Sequence, residues 1–164
     1  MFKDIIGKKI MTSDQAISWR ASLKSAGKKL VMTNGCFDIL HRGHITYLIM
    51  ARELGDALIL AVNSDRSVRE LKGAGRPVTT ENDRAFTLSS LMFVDAVVLF
   101  DAKRCDGIIS AIKPDIYVKG ADYNLDTIDT VERKALESAG SKIAFISFLE
   151  GYSTTSIIKK MNQP

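Results

Sequence analysis

The sequence predicts an α/β fold in which five parallel strands form one doubly wound sheet of the Rossmann type. Five short runs of Val, Ile, Leu and Ala are nearly uninterrupted, which is typical of strands covered by helices on both faces. Helical patterns stand between these runs, and such alternation builds a parallel sheet with right-handed crossovers. The predicted strands cover residues 29–33, 57–62, 96–100, 116–118 and 142–147.

The helices are predicted from apolar residues at helical spacing and from the residues that flank them. Ser13 and Ser153 are suitable N-caps, and Pro114 ends the helix before the fourth predicted strand. Residues 1–27 are interpreted as a helical N-terminal extension of a single domain that covers residues 1–164. The predicted helices cover residues 13–26, 44–54, 65–71, 81–93, 105–112, 131–139 and 153–161.

Composition and charge narrow the class of protein. With 164 residues, 46% of them hydrophobic and 26% charged, the chain matches one ordinary globular domain. A dispersed net charge of +4 fits a protein that handles phosphates but is too small to indicate a nucleic-acid partner. Cys36 and Cys105 form no CxxC pair, which argues against a disulfide framework or a zinc site. Because the start lacks a signal-peptide pattern and no apolar run is long enough for a membrane helix, we expect a cytoplasmic protein without a membrane partner.

Both histidines of the chain lie three residues apart, where the first predicted strand gives way to a helix. This edge of an open parallel sheet binds ligands, and a helix start offers unpaired N–H groups and a positive dipole end to an anion. His41 and His44 lie on one side of the helix start, so both can converge on the same phosphate. Gly35 and Gly43 stand where a ligand needs access to the backbone. The alternative is two ordinary polar loop residues, one of which caps the helix.

A second candidate for phosphate binding follows the fifth predicted strand. Ser153, Thr154 and Thr155 bring three successive hydroxyls, together with exposed backbone N–H groups, to another helix start. The alternative is simple N-capping by Ser153 or Thr154, which requires one hydroxyl and leaves the others unexplained.

Other polar residues are expected at the same edge, because the carboxyl ends of parallel strands meet there. Asn63 and Asp65 follow the second predicted strand, and Lys119 ends the fourth, where its ammonium is expected to point into the cleft. Lys72 and Arg76 flank a glycine loop that could close over a charged ligand or could be a plain basic surface loop.

Acidic residues are harder to interpret. Asp122, Asp126 and Asp129 lie in a loop that could bind magnesium or sugar hydroxyls, although a solvated acidic loop explains Asp126 and Asp129 equally well. For Asp38 we favour a side chain that stabilises its own turn by bonding nearby backbone.

The run Asn34-Gly35-Cys36-Phe37-Asp38, followed by His41-Arg42-Gly43-His44, resembles the HxGH signature of the nucleotidyltransferase superfamily. Residues 153–155 are similar to the second signature of that superfamily, Ser-Thr-Thr before the last helix. The resemblance implies that the histidines hold the triphosphate and stabilise the transition state for attack on its α-phosphate. It also implies that the hydroxyls bind the nucleotide phosphates from the opposite side.

The likeness extends over residues 28–161, where the order of segments resembles the adenylyltransferase domain that acts on D-glycero-β-D-manno-heptose 1-phosphate, in its stand-alone type. The supporting stretches include Val118-Lys119-Gly120 with Asp122-Tyr123, and Leu71-Lys72-Gly73 with Arg76-Pro77. The resemblance implies transfer of AMP from ATP to this sugar phosphate, giving ADP-heptose for lipopolysaccharide or another glycan. It further implies Mg²⁺ bound mainly through ATP, and a homodimer is compatible with it.

The motifs and the resemblance together assign a role to each candidate site residue. The catalytic candidates are His41, His44 and Lys119. The nucleotide-binding candidates are Thr33, Asn34, Gly35, Cys36, Phe37, His41, Gly43, His44, Lys119, Gly120, Asp122, Gly151, Ser153, Thr154 and Thr155. The substrate-binding candidates are Asp38, Asn63, Asp65, Lys72 and Arg76, and no side chain is assigned to a metal ion.

Two other functions are weighed against this one. The first is a cytidylyltransferase for glycerol 3-phosphate or a similar alcohol, which typically carries Arg-Thr-Glu-Gly before the Ser-Thr-Thr signature, where this chain has Phe148-Leu149-Glu150-Gly151. The second is a nucleotide-binding module without catalysis, which would not need all of His41, His44, Lys119 and residues 153–155.

Overall fold

A computed structural model describes residues 1–147, 149 and 151–161 of the chain. Within them, six strands form one parallel sheet. In chain order the strands are β1 (Ile10–Met11), β2 (Leu30–Gly35), β3 (Ala57–Asn63), β4 (Ala96–Phe100), β5 (Ile116–Gly120) and β6 (Lys142–Ile146). Their order across the sheet is β1-β4-β3-β2-β5-β6, so the sheet grows outwards from β2 in both directions, as expected for a doubly wound fold.

Within the described residues, eight helices flank the strands. Seven of them follow the predicted bounds to within a few residues, and the first lies in the N-terminal extension, for which no helix bounds before residue 13 were predicted. The helices are α1 (Phe2–Lys9), α2 (Ser13–Ser25), α3 (Arg42–Arg52), α4 (Asp65–Lys72), α5 (Glu81–Ser89), α6 (Asp106–Ile112), α7 (Thr130–Ala139) and α8 (Thr154–Met161). Helix α5 ends four residues earlier than predicted, because the hydroxyls of Ser89 and Ser90 both donate to the carbonyl of Phe86 and compete with further helical turns.

Two hydrophobic layers hold the helices on the sheet. Leu30 and Met32 of β2 face one layer, where they pack with Ala16 of α2, Ile109 of α6 and Leu136 of α7. The intervening side chains face the other layer, where α3 and α5 cover the sheet. Because neighbouring residues of a strand point to opposite faces, a strand buried on both faces is apolar along nearly its whole length. All seven residues of β3 are buried, and only the last, Asn63, is polar.

The predicted fold class is confirmed, but the predicted number of strands is wrong. The sixth strand, β1, lies at the edge of the sheet, where Ile10 pairs with Val97 and Met11 with Val98. It falls within residues 1–27, which we interpreted as a helical extension without a strand, and α1 precedes it. A strand of two residues carries no periodic signal, and only pairing with β4 makes it one.

The sheet places the carboxyl ends of β2, β3 and β5 side by side, since β2 pairs with β3 on one flank and with β5 on the other. Asn34, Asn63 and Lys119 therefore meet at one edge, as predicted from strand alternation. In the described part of the chain, no helix is both long and apolar enough to cross a membrane.

Candidate active site

The histidine turn joins β2 to α3. Phe37 adopts a left-handed backbone conformation (φ 47°) and lets the chain reverse, and His41 then precedes the first residue of α3. The side chain of His41 makes no capping hydrogen bond, so the alternative of a helix cap does not describe it. Instead the rings of His41 and His44 stack, with 3.9 Å between their centroids and 26° between their planes.

Gly43 packs closely against the His41 ring, where any side chain would crowd it. A Cβ atom at Gly43 would lie 3.0 Å from Cε1 and Nδ1 of His41 and 3.1 Å from Cβ of Tyr152. Tyr152 itself stacks on His41 at 6.4 Å, which brings the segment after β6 against the histidine turn. The two predicted phosphate-binding segments are therefore joined through Gly43, His41 and Tyr152.

Replacing Gly43 with alanine is expected to lower turnover by about tenfold, because the His41 ring must move by a few tenths of an ångström from its stacked position. The added methyl should also reduce the free energy of unfolding by about 1–2 kcal/mol. Steady-state kinetics and urea unfolding measure both effects. Gly107→Ala on α6 is the matched control, since nothing lies within 4 Å of a Cβ atom there. Equal activity of both variants would contradict the expectation.

Burial keeps both imidazoles neutral near pH 7. Burial, and to a lesser extent the neighbouring His41, lowers the pKa of His44 to about 4. Burial also lowers the pKa of His41. The Nδ1 atom of each ring is buried and has no hydrogen-bond partner among the described residues. Each ring can therefore meet a ligand only through its Nε2 edge.

The lowered pKa of His44 makes stability depend on pH. Between pH 6.5 and about 4 the unfolded chain binds a proton on this histidine and the folded protein does not, so stability falls as the pH is lowered through this range. At pH 5 we expect this histidine to account for a loss of about 1–2 kcal/mol in the free energy of unfolding. Urea unfolding at pH 7.5 and pH 5 should show a correspondingly smaller acid loss for His44→Asn. An identical loss in both proteins would contradict the assignment.

Lys119 lies near the end of β5, the strand next to β2. Its Nζ donates to Asn34 Oδ1 at 3.0 Å and lies 3.2 Å from Oε2 of Glu132 on α7. The ammonium also sits above the rings of Tyr117 and Tyr123, 5.6 Å and 5.2 Å from their centroids. The predicted direction of the Lys119 side chain agrees with this position, because Lys119 lines the cleft.

A cleft of about 700 Å³ opens at this edge of the sheet and contains most of the predicted residues. The predicted residues in its lining are Asn34, Gly35, Cys36, Phe37, Asp38, His44, Asn63, Lys72, Arg76, Lys119, Gly120, Thr154 and Thr155. Those outside the lining are Thr33, His41, Gly43, Asp65, Asp122, Gly151 and Ser153. Phe148 and Glu150, which entered the comparison with cytidylyltransferases, lie outside the described residues.

Three of the predicted residues do not line the cleft because their side chains bind other groups of the protein. The hydroxyl of Thr33 is buried against Tyr47 Oη (2.8 Å) and the Val118 carbonyl (2.9 Å), in the core. The Asp65 carboxylate pairs with Arg84 at 2.9 Å and does not line the cleft. Ser153 accepts a hydrogen bond from the backbone N–H of Ser156 and caps α8, as the alternative reading of this segment allowed.

Asp38 and Arg76, both predicted to bind substrate, bind each other. The buried Asp38 carboxylate accepts hydrogen bonds from Arg76 and from the backbone N–H groups of Val78 and Thr79. Burial alone would raise the pKa of Asp38, but the hydrogen bonds from Thr79, Arg76 and Val78 outweigh it and lower the pKa. Asp38 thus ties the glycine loop to the histidine turn, in the supporting role favoured for it.

Sequence reasoning missed two buried residues that organise the cleft. Glu132 lies on α7, where it faces Lys119. Arg84 on α5 is 2% exposed and donates to the carbonyls of Cys36, Asn63 and Thr79. Nothing in the sequence distinguishes either residue from the charged, solvated face of an ordinary amphipathic helix.

The fold and the cleft together define an α/β nucleotidyltransferase with a stacked histidine pair beside its cleft. The chain belongs to the cytidylyltransferase-like family, whose profile matches residues 32–160. This confirms the resemblance stated from the sequence and the prediction of an enzyme.

Two relatives are similar to this chain over most of its length. The bifunctional protein HldE of Methylobacillus flagellatus is 45% identical over 93% of this chain, and that of Campylobacter concisus is 52% identical over 82%. This chain spans only 31% and 27% of the length of those two proteins.

Solved structures show the same fold. A lipopolysaccharide core biosynthesis protein from Thermoplasma volcanium matches with a TM-score of 0.62 and 32% identity, over 77% of this chain and all of that one. A pantoate-beta-alanine ligase from Francisella tularensis shares the fold alone, with a TM-score of 0.55 and 14% identity over 91% of this chain and 75% of that one.

Proposed function

We propose that this protein transfers AMP from ATP to D-glycero-β-D-manno-heptose 1-phosphate, releasing pyrophosphate and forming ADP-heptose. The observation that carries the proposal is the stacked pair of neutral histidines, which lies at the start of α3 beside the cleft that Lys119, Thr154 and Thr155 line. The choice of sugar is supported by identities of 43–52% to HldE proteins and by the HldE-like segments around Lys119 and Lys72.

The chemistry requires positioning and charge neutralisation more than proton transfer. The phosphate of the sugar is an anionic nucleophile at neutral pH, and it displaces pyrophosphate from the α-phosphorus of ATP without a general base. In this assignment His41 and His44 donate hydrogen bonds to phosphate oxygens, Lys119 supplies a fixed positive charge, and Thr154 and Thr155 hold the far phosphates.

Magnesium fits this cleft as an ion that the nucleotide brings. Within the described residues, no group of three or more His, Cys, Asp and Glu side chains is arranged to hold a metal ion. Asp129 lines the cleft, but its carboxylate already accepts hydrogen bonds from the N–H groups of Val131 and Glu132 and caps α7. Mg²⁺ bound to the phosphates would neutralise the departing pyrophosphate.

A matrix of pyrophosphate-release assays tests the proposal. ATP, CTP and GTP are each combined with heptose 1-phosphate, glycerol 3-phosphate and other phosphorylated alcohols, with and without Mg²⁺. We expect strong release only from ATP with heptose 1-phosphate in the presence of Mg²⁺. Release from CTP with glycerol 3-phosphate would instead identify a cytidylyltransferase, and ATP binding without release in any combination would identify a non-catalytic module.

The homodimer stays a prediction, and sedimentation velocity measures the oligomeric state.

A further inference from the structure

The Lys119 ammonium is held by a carboxylate that the proposed reaction does not use. Lys119 Nζ and Glu132 Oε2 are 3.2 Å apart, and the two side chains are only 12% and 8% exposed. The other oxygen of Glu132, Oε1, accepts the backbone N–H of Cys105 at 2.8 Å, at the start of α6. Glu132 therefore links α7 both to the end of β5 and to the start of α6.

Asn34 is the second hydrogen-bond acceptor of the Lys119 ammonium. Asn34 Oδ1 accepts from Lys119 Nζ at 3.0 Å and from Tyr117 Oη at 2.7 Å. An ammonium has three N–H donors, and Glu132 and Asn34 take two of them. One donor is left for a ligand in the cleft. Tyr117, Tyr123 and the buried thiol of Cys105 are further titratable groups that interact with this charge.

A lysine ammonium needs fixed hydrogen-bond acceptors around it if its charge is to be in place before the reaction. Its four-carbon side chain is flexible, and its ammonium is a point charge without the fixed fork of arginine. Electrostatic stabilisation of a transition state depends on charges that are already in place when the reaction starts. A buried carboxylate is costly to desolvate and is weak evidence for stability alone, so its pairing with a cleft lysine points to the site.

We propose that Glu132 is a positioning residue for nucleotidyl transfer, which fixes the Lys119 ammonium so that its remaining N–H faces the phosphates of the nucleotide. This inference rests on the proposed function. It distinguishes Glu132 from Glu137, an exposed residue of the same helix that pairs with Arg133 at the surface.

A double-mutant cycle tests the proposal through kcat, the KM for ATP and ATP affinity. Its variants are Glu132→Gln, Lys119→Met and the double variant, with Glu137→Gln as the control on α7. Glutamine can still accept the N–H of Cys105, so α6 keeps its contact while the charge beside Lys119 is lost. We expect Glu132→Gln to lower kcat by about tenfold with less than a twofold change in KM for ATP. In the Lys119→Met background the same change should alter kcat by less than twofold.

Equal losses of kcat in both backgrounds would overturn the proposal, because Glu132 would then act through packing and not through Lys119. A Glu132→Gln variant as active as Glu137→Gln would overturn it too.

Two readouts do not require the acceptor sugar. In calorimetry with ATP and Mg²⁺ alone, Glu132→Gln should bind ATP at least as tightly as the unmodified protein, because an anion beside the polyphosphate is gone. Binding more than threefold weaker would count against positioning.

In urea unfolding, the double variant should have a higher midpoint than Lys119→Met, because Lys119→Met leaves a buried carboxylate unpaired. A lower midpoint would contradict the pairing of Glu132 with Lys119. Absence of pyrophosphate release by the unmodified protein with every acceptor would reject the proposed function and leave these two readouts interpretable.

Discussion

His44→Ala is expected to lower kcat by about 10²–10³-fold, which corresponds to about 2.7–4 kcal/mol of transition-state stabilisation lost with one preorganised donor. His41→Ala should cost a similar amount. Because the two rings stack at 3.9 Å and, in the proposed function, act on the same phosphates, the double variant should lose far less than the product of the two single effects. Pyrophosphate release under saturating substrates measures all three variants.

The physical reason for this loss is hydrogen bonding, not the charge of the free histidines. With a pKa of about 4, His44 is neutral at pH 7.5, so alanine removes a donor and leaves the charge of the free cleft unchanged. Met50→Ala, on the exposed side of the same helix, is the control for effects on α3 itself. A loss of less than tenfold for His44→Ala, with the fold intact by circular dichroism, would contradict the assignment.

The sequence predicts the sheet well because its signals are local. The apolar run of β3, for example, is too short for a typical buried helix and is typical of a strand buried on both faces, and alternation with helices then sets the strands parallel. Parallel strands bring their carboxyl ends together, so His44, Lys119 and Thr155 could be placed in one cleft although more than 100 residues separate the first from the last. Local sequence patterns, combined with the topology of a parallel sheet, therefore predicted contacts between residues far apart in sequence.

What escaped prediction depends on contacts between distant segments. β1 exists only because β4 offers it a partner. Thr33 belongs to a strongly predicted motif, yet its hydroxyl serves the core because Tyr47 and Val118 meet it there. Glu132 and Arg84 look like surface charges of amphipathic helices, and only the packing of those helices against the strand ends buries them. A residue-by-residue reading has no means of ranking such contacts in advance.

Arg84→Met is expected to reduce the free energy of unfolding by about 3–5 kcal/mol, the largest effect on stability that we anticipate. The guanidinium donates from Nη1 to the Cys36 carbonyl at 2.5 Å, from Nη2 to the Asn63 carbonyl at 2.7 Å and from Nε to the Thr79 carbonyl at 3.1 Å. Methionine fills much of the same volume but donates no hydrogen bond, so these carbonyls lose their partner in a buried setting.

The same substitution should lower kcat, because Arg84 joins the ends of β2 and β3 to the segment that Asp38 holds beside the histidine turn. Arg84→Lys should recover only part of the stability, since one ammonium cannot reproduce the fork of a guanidinium toward three carbonyls. Arg133→Met on α7 is the control, because that half-exposed arginine makes surface contacts, an ion pair with Glu137 and a hydrogen bond to the Leu125 carbonyl. Urea unfolding compares the three variants, and a loss below about 1 kcal/mol for Arg84→Met would mean that neighbouring groups or water replace the arginine without cost.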